Sequence, residues 1–315
     1  MDEHLAAVAA HLAGPFTAEQ AAQCGVTRSQ LRRAVGRGDL VTIRRGVFID
    51  PKLVSSEVSA RATRHRTAVV GALLESPDDT VASHTSAVVL HGWDHLAAPR
   101  KPELLRPAAR SRTPSASADK VVRTAQLPAS QICLVGGTAV TSPARTLIDV
   151  ARKLPFLDAV VIADSALRIG GRPADLDEVL ASCAGWPGVR KARHVLAFAD
   201  GKSESALESV GRVRIHQYGL PPPVLQHWIT DGVDRCRVDF AWEESRTIGE
   251  ADGLLKYDTD PRALREEKLR QEWLENLDNQ VVRFTWQQVM RQRQIPLTMD
   301  RFRRALVRGR LRRSA

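Results

Sequence analysis

Two capping boxes, Thr17-Ala18-Glu19-Gln20 and Thr27-Arg28-Ser29-Gln30, stand on either side of Cys24-Gly25-Val26 and constrain the start of this chain more than any other feature. In each box a threonine hydroxyl can accept from an orphan N–H of the first helical turn, while the glutamine three residues on reaches back to the threonine N–H. Gly25 can take the left-handed conformation that ends a helix. The spacing therefore predicts helix, tight turn, helix. In the second helix Leu31, Ala34 and Val35 form an apolar stripe that fixes the core face, which leaves Arg28, Ser29, Gln30, Arg32, Arg33 and Arg37 around the rest. Gly36 and Gly38 close this helix, and Asp39 to Ile49 alternates as two strands bent at Arg45-Gly46.

Helix, turn, helix and hairpin in this order make a winged helix-turn-helix, expected over residues 1–50, with double-stranded DNA as partner. Arg28, Gln30 and Arg32 carry donors suited to base edges in a major groove; Arg44 and Arg45 at the wing, with the helix N-terminus, would meet phosphates. A small helical bundle with a solvated basic face is the other reading of the same residues. Charge agrees with a polyanionic partner: 46 Lys and Arg stand against 36 Asp and Glu, for a net +10 and a pI near 10.0. Anionic membranes attract the same balance, but no apolar run approaches the roughly 20 residues that cross a bilayer, so a membrane is not the expected partner. The acidic start Met1-Asp2-Glu3-His4 lacks the features of a secretory signal, and Cys24, Cys133, Cys183 and Cys236 include no C-x-x-C pair. Both point to the cytoplasm and away from a zinc ribbon or a disulfide framework.

Residues 51–200 read as a mixed α/β domain: helices over Val58–Leu74 and His84–Leu90, strands over Pro102–Arg106, Lys120–Gln126 and Ile132–Leu134, a small-residue loop over Ala108–Ala118, then helices from Pro143. His84 and His91 lie two turns apart and read as structural rather than metal-binding.

The character changes at Ser203. A charged helix over Glu204–Gln217 is followed by the Gly219-Leu220-Pro221-Pro222-Pro223 break, a strand over Val224–Ile229, a turn at Asp231-Gly232 and a strand over Arg235–Trp242. A four-residue connection, Glu243–Arg246, pairs Trp242 with Thr247 and brings Asp239 opposite Glu250 on one face. Asp252 shares that face and Lys256 follows. Facing carboxylates repel, and a hard divalent cation such as Mg²⁺ or Mn²⁺ is a common compensation. Asp239 and Glu250 as metal ligands, Asp252 beside them and Lys256 near the water are the parts that phosphodiester hydrolysis needs. An exposed hairpin with solvated charges is the alternative. An amphipathic helix over Arg262–Leu277 brings Lys268 or Arg270 within reach, a strand follows over Gln280–Phe284, and an arginine-rich helix or tail occupies 293–315.

Two resemblances extend this reading. The run from Phe16 to Phe48 resembles the N-terminal winged helix of AbiEi-family antitoxins, the repressor halves of type IV toxin-antitoxin systems, and Ala82–Trp93 and Thr141–Arg152 resemble stretches that follow it. That resemblance implies transcriptional repression through DNA binding and a cognate toxin as protein partner. Ser205–Glu208, Gly219–Pro223, Arg237–Trp242, Gly249–Tyr257 and Val282–Trp286 resemble blocks of a Vsr-like domain, similar to the very-short-patch-repair endonuclease of the PD-(D/E)xK superfamily. This second resemblance implies a restriction-endonuclease-like domain over 201–292, with Asp239 and Glu250 at its two metal-binding acids and Glu208 as an acid from the first helix. The usual lysine two residues after the second acid is Asp252 here, and no proline precedes Asp239, so cleavage would require Lys256 in that role. The expected fold class is thus α+β and α/β multidomain. Three functions follow: a DNA-binding repressor carrying a nuclease-fold module, a Mg²⁺-dependent endonuclease targeted by the winged helix, or a non-enzymatic toxin-binding protein.

Overall fold

The computed structural model describes residue 5 and residues 15–44, 46–51, 60–97, 99–108, 115–116, 119–253 and 261–314. The chain divides into two compact units, residues 1–154 with 173–193, and residues 155–172 with 194–315. The first half runs β1 (Phe16–Thr17), α1 (Ala18–Gln23), α2 (Arg28–Gly36), β2 (Val41–Arg44), β3 (Val47–Ile49), α3 (Ala60–Leu74), β4 (Val81–Ala82), α4 (His84–His91), β5 (Glu103–Pro107), β6 (Ser115–Ala116), β7 (Val121–Ala125), β8 (Ile132–Val135), β9 (Thr138–Thr141) and α5 (Pro143–Lys153). There follow α6 (Phe156–Gly170), α7 (Leu176–Ser182), α8 (Val189–Phe198), α9 (Ala206–Gln217), β10 (Val224–Thr230), β11 (Arg235–Trp242), β12 (Thr247–Ala251), α10 (Pro261–Asn276), β13 (Gln280–Phe284), α11 (Trp286–Met290) and α12 (Ile295–Ser314). Among the described residues no helix is long and apolar enough to cross a membrane.

The first unit begins as its caps dictate. The Gln20 N–H donates to Thr17 Oγ1 at 3.0 Å and the Thr17 N–H to Gln20 Oε1 at 2.9 Å; Gln30 and Thr27 repeat the exchange at 3.3 and 2.8 Å. Helices α1 and α2 then bury Ala21, Leu31 and Ala34 against Leu5, Phe16, Val26 and Leu40. A short strand that the sequence did not announce, β1, pairs with β3 through Phe16 and Phe48, giving a three-stranded sheet in the order β1-β3-β2. The same unit holds a six-stranded mixed sheet ordered β6-β7-β5-β4-β9-β8, whose core gathers Val69 and Ala72 of α3, Ala87 and Leu90 of α4, and Leu104, Val122 and Val140 of the sheet. Of the Ala108–Ala118 loop, residues 109–114 and 117–118 lie outside the described residues.

Two buried histidines in this unit make its stability depend on pH. His65 on α3 and His84 at the start of α4 are each pushed down to about 4, mainly by burial. The folded state holds both rings neutral, whereas an unfolded chain protonates them below about 6.5. Stability is therefore complete above the unfolded value and declines as pH falls from 6.5 towards 4. Urea titrations at pH 7.0 and 4.5 should show the first unit losing on the order of 2–4 kcal/mol; an unchanged midpoint would refute it.

The second unit is built on a four-stranded sheet ordered β10-β11-β12-β13, antiparallel except for the parallel β12–β13 pair. Trp242 pairs with Thr247, as the four-residue connection requires. Phe240 and Phe284 stack at 5.8 Å with parallel rings, and Phe302 of α12 closes on Phe284 at 5.9 Å. Gly211 of α9 admits Phe284 so closely that a Cβ there would stand 2.5 Å from the ring. The arginine-rich C-terminal stretch is helix α12, and its Met299, Phe302, Ala305 and Leu306 are buried in this core. Helix α6, read from sequence as part of the middle segment, belongs to this unit and packs on α9.

Candidate functional site

Helix α2 in the first unit presents a sorted surface. Leu31 and Ala34 are buried, while Arg28, Ser29, Arg32, Arg33 and Arg37 are exposed. Two of the six residues expected around the apolar stripe of α2 are already engaged. The Gln30 carbonyl oxygen accepts from Thr27, leaving only its amide N–H group for a base edge, and Arg37 Nε donates to Asp39 at 2.9 Å. Arg28, Arg32 and Arg33 make no ion pair with a described residue, so three full charges stand on the face away from the core. The hairpin β2–β3 follows with Gly46 at φ +80° between its strands. Arg45 lies outside the described residues and so does the side chain of Arg44.

The second unit brings the acids of its sheet to one place. Glu208, Asp239, Glu250 and Asp252 line a single cleft of about 510 Å³ together with Arg270 and Arg283; Lys256 lies outside the described residues. The β11–β12 ladder runs as far as Phe240 opposite Gly249, which places Asp239 and Glu250 at the next step. Asp239 Oδ2 accepts from the Ala251 N–H at 2.8 Å, and burial raises its pKa against the opposing pull of that bond and of Arg270. Glu208 accepts from Ser205 Oγ at 2.7 Å and from the Glu204 N–H and Gln226 Nε2 at 2.9 Å. Burial raises this carboxyl as well, and the neighbouring Asp239 adds to the effect. The Asp252 N–H bonds the Phe284 carbonyl at 2.8 Å and so prolongs the parallel pairing.

Three residues enter this site without a sequence motif. Gln226 stands in β10 at φ +53°, a conformation rare outside glycine, and interrupts the ladder where it would have paired with Asp239. The turn aims its amide at Glu208. Arg270 of α10 donates to Glu250 Oε1 at 2.8 Å and to the Arg237 carbonyl at 2.9 Å. Of the two cations expected within reach, Arg270 therefore faces the acids, while Lys268 is exposed beside Glu272. Arg283, paired with Glu250 in the parallel register of β12 and β13, completes the wall. Among the described residues no three His, Cys, Asp or Glu are grouped to hold an ion, and a guanidinium sits on Glu250. The cleft is a set of partly neutralised carboxyls with raised proton affinity at Asp239 and Glu208, held beside arginine.

The histidines of α4 are each held by near neighbours. His84 Nδ1 lies 3.0 Å from Ser83 Oγ, and His91 Nε2 bonds the Thr141 carbonyl while its ring stacks on Trp93.

Comparison with known proteins assigns a class to two segments. Residues 3–49 match the family described as transcriptional regulator, AbiEi antitoxin, and residues 80–198 match the AbiEi antitoxin C-terminal domain. The two matches follow one another along the chain, and neither extends past residue 198. Among individual proteins it is similar to the uncharacterized proteins MT2308 and Rv2248 from two strains of Mycobacterium tuberculosis, at 36% identity over 145 residues, which is 45% of this chain and 53% of each relative. The chain spans about half the length of these curated relatives. Among solved structures, the RV2827C protein from Mycobacterium tuberculosis aligns over 71% of this chain and 86% of its own, with a TM-score of 0.41 and 14% identity.

Proposed function

We propose that this chain is a DNA-binding transcriptional regulator of antitoxin type, with residues 1–50 acting as a winged helix-turn-helix and a cognate toxin as its protein partner. The observation that carries the reading is the exposed arginine face of α2, set opposite its buried stripe within the segment that matches the antitoxin regulator family. Arg28 and Arg32 would read bases, and Arg33 and the wing would hold phosphates. A second reading is a DNA endonuclease that uses Mg²⁺ or Mn²⁺ through Asp239 and Glu250. It draws on the four acids that line one cleft; the arginine on Glu250 and the ungrouped donors count against it.

One assay separates the two. Fluorescence anisotropy with a duplex from upstream of the protein's own coding sequence should give an affinity that falls about tenfold or more in an Arg28→Ala/Arg32→Ala variant. The log–log salt slope should stay near the parent's in that variant and drop by about one in Arg33→Ala, which removes a phosphate contact. Equal affinity in parent and variant would sink the regulator reading. Incubation of the same duplex with Mg²⁺ or Mn²⁺ should leave it intact; cleavage abolished by both Asp239→Ala and Glu250→Ala would instead establish the nuclease.

A further inference from the structure

Apart from the α2 face, the first unit holds a recess of about 460 Å³ between β7, α5 and the segment after α7. Its wall contains Arg123, Arg145, Arg152 and Lys153, and among the described residues the carboxylates that pair with these cations are two, Asp149 in the wall and Glu103 behind it. Asp149 is shared, accepting from Arg145 Nε at 2.8 Å and Arg152 Nη1 at 3.2 Å. Arg145 is further fixed by the Gln126 carbonyl and Gln131, and both its guanidinium and that of Arg152 lie 4.7 Å from the centre of the Trp186 ring. Arg123 gives one nitrogen to Glu103 at 2.6 Å, while its Nε is buried without an acceptor. Lys153 stands exposed at the mouth and makes no ion pair with a described residue; its pKa is lowered by burial first and then by repulsion from Arg123.

Four cations against two carboxylates leave two positive charges facing a concave surface, and the fourth wall is itself unusual. His84 is buried at the recess with φ +49°, a conformation that surrounding structure must enforce and that gathers at ligand sites. The ring is neutral at neutral pH, so it adds no charge but leaves the cationic excess undiluted. Arginines oriented beforehand by fixed partners offer charge-assisted donors without reorganisation, and forked donors suit a tetrahedral dianion better than they suit a chloride. The volume lies in the range of sites for small organic ligands, roughly 300–1,000 Å³.

We propose that this recess binds the phosphate group of a phosphate ester, with Arg123 and Lys153 as its direct ligands and Arg145 and Arg152 as the rigid positive wall behind them. The site is independent of the DNA-reading face on α2, and its chemistry can be met by a free phosphate monoester or by a phosphate of bound DNA. Titration calorimetry of the full chain with inorganic phosphate and with glycerol phosphate, against chloride at matched ionic strength and against succinate, tests it. Saturable phosphate binding is expected, about 10-fold or more weaker in Lys153→Gln and in Arg123→Gln. Lys153 is exposed, so its variant remains informative should the Arg123 variant fail to fold. If Lys153→Gln loses phosphate but keeps the parent's affinity for duplex, the ligand is a free phosphate ester. If duplex affinity and its salt slope fall with it, the phosphate is that of DNA. Phosphate bound no better than chloride or succinate, or bound equally by parent and Lys153→Gln, would overturn the assignment.

Discussion

Replacing Arg212 with leucine is expected to lower the stability of the second unit by about 3–5 kcal/mol. Asp164 on α6 is wholly buried, and Arg212 Nη2 reaches both its carboxylate oxygens at 2.7 Å. The Asp200 N–H adds a third bond at 2.8 Å, and Arg212 is itself tied to the Phe198 carbonyl with its guanidinium 4.3 Å over the Phe198 ring. Burial pushes the Asp164 carboxyl upward and Arg212 opposes that push, so loss of the arginine leaves a buried acid that must either remain charged or take up a proton. Either course is costly, whereas the pair as a whole is not strongly favourable against a hydrophobic replacement of similar volume. The Asp164→Leu/Arg212→Leu double variant should accordingly recover most of the loss. Chemical unfolding followed by tryptophan fluorescence reads both numbers; an Arg212→Leu variant within about 1 kcal/mol of the parent would contradict the argument.

Gly309→Val should be nearly as damaging, and for a steric reason. Gly309 lies inside α12, where replacing glycine by a residue with a side chain ordinarily gains a few tenths to about 1 kcal/mol of helix propensity. Here a Cβ would overlap the Ser245 carbonyl oxygen, far inside van der Waals contact distance, in the turn that joins β11 to β12. Backbone cannot swing aside as the end of a long side chain can, so the overlap outweighs propensity and a loss of at least about 3 kcal/mol is expected. Arg308→Ala, one residue away and exposed, is the control and should stay within about 0.5 kcal/mol. If Gly309→Val melts with Arg308→Ala, the close approach of α12 to that turn is wrong.

The parts of this fold that could be read from sequence are those in which cause and effect lie close along the chain. Thr17 with Gln20 and Thr27 with Gln30 act over three residues, and both helices start where these caps place them. The four residues between Trp242 and Thr247 fixed a register because a short connection leaves no freedom, and Asp239 and Glu250 consequently share a cleft. What was not legible depends on distant partners. Strand β1 has two residues and exists only because β3 supplies its pairing. Gln226 sits in a strand pattern that gives no hint of a positive φ, and the choice of Arg270 over Lys268 depends on the angle at which α10 crosses the sheet. Helix α6 has the apolar composition of either unit; its buried Asp164 is explained only by an arginine 48 residues further on.

The division of the chain has a consequence for inheritance. Backbone passes between the two units at 154/155, 172/173 and 193/194, so no single break separates them. An exchange of gene segments at residue 198, where the antitoxin-type match ends, would carry α6 and Asp164 with the head and leave Arg212 behind. A tail exchanged at that point would leave the buried carboxylate without its guanidinium unless it brought its own cation to Asp164, so the cost of such an exchange falls on a residue the head supplies.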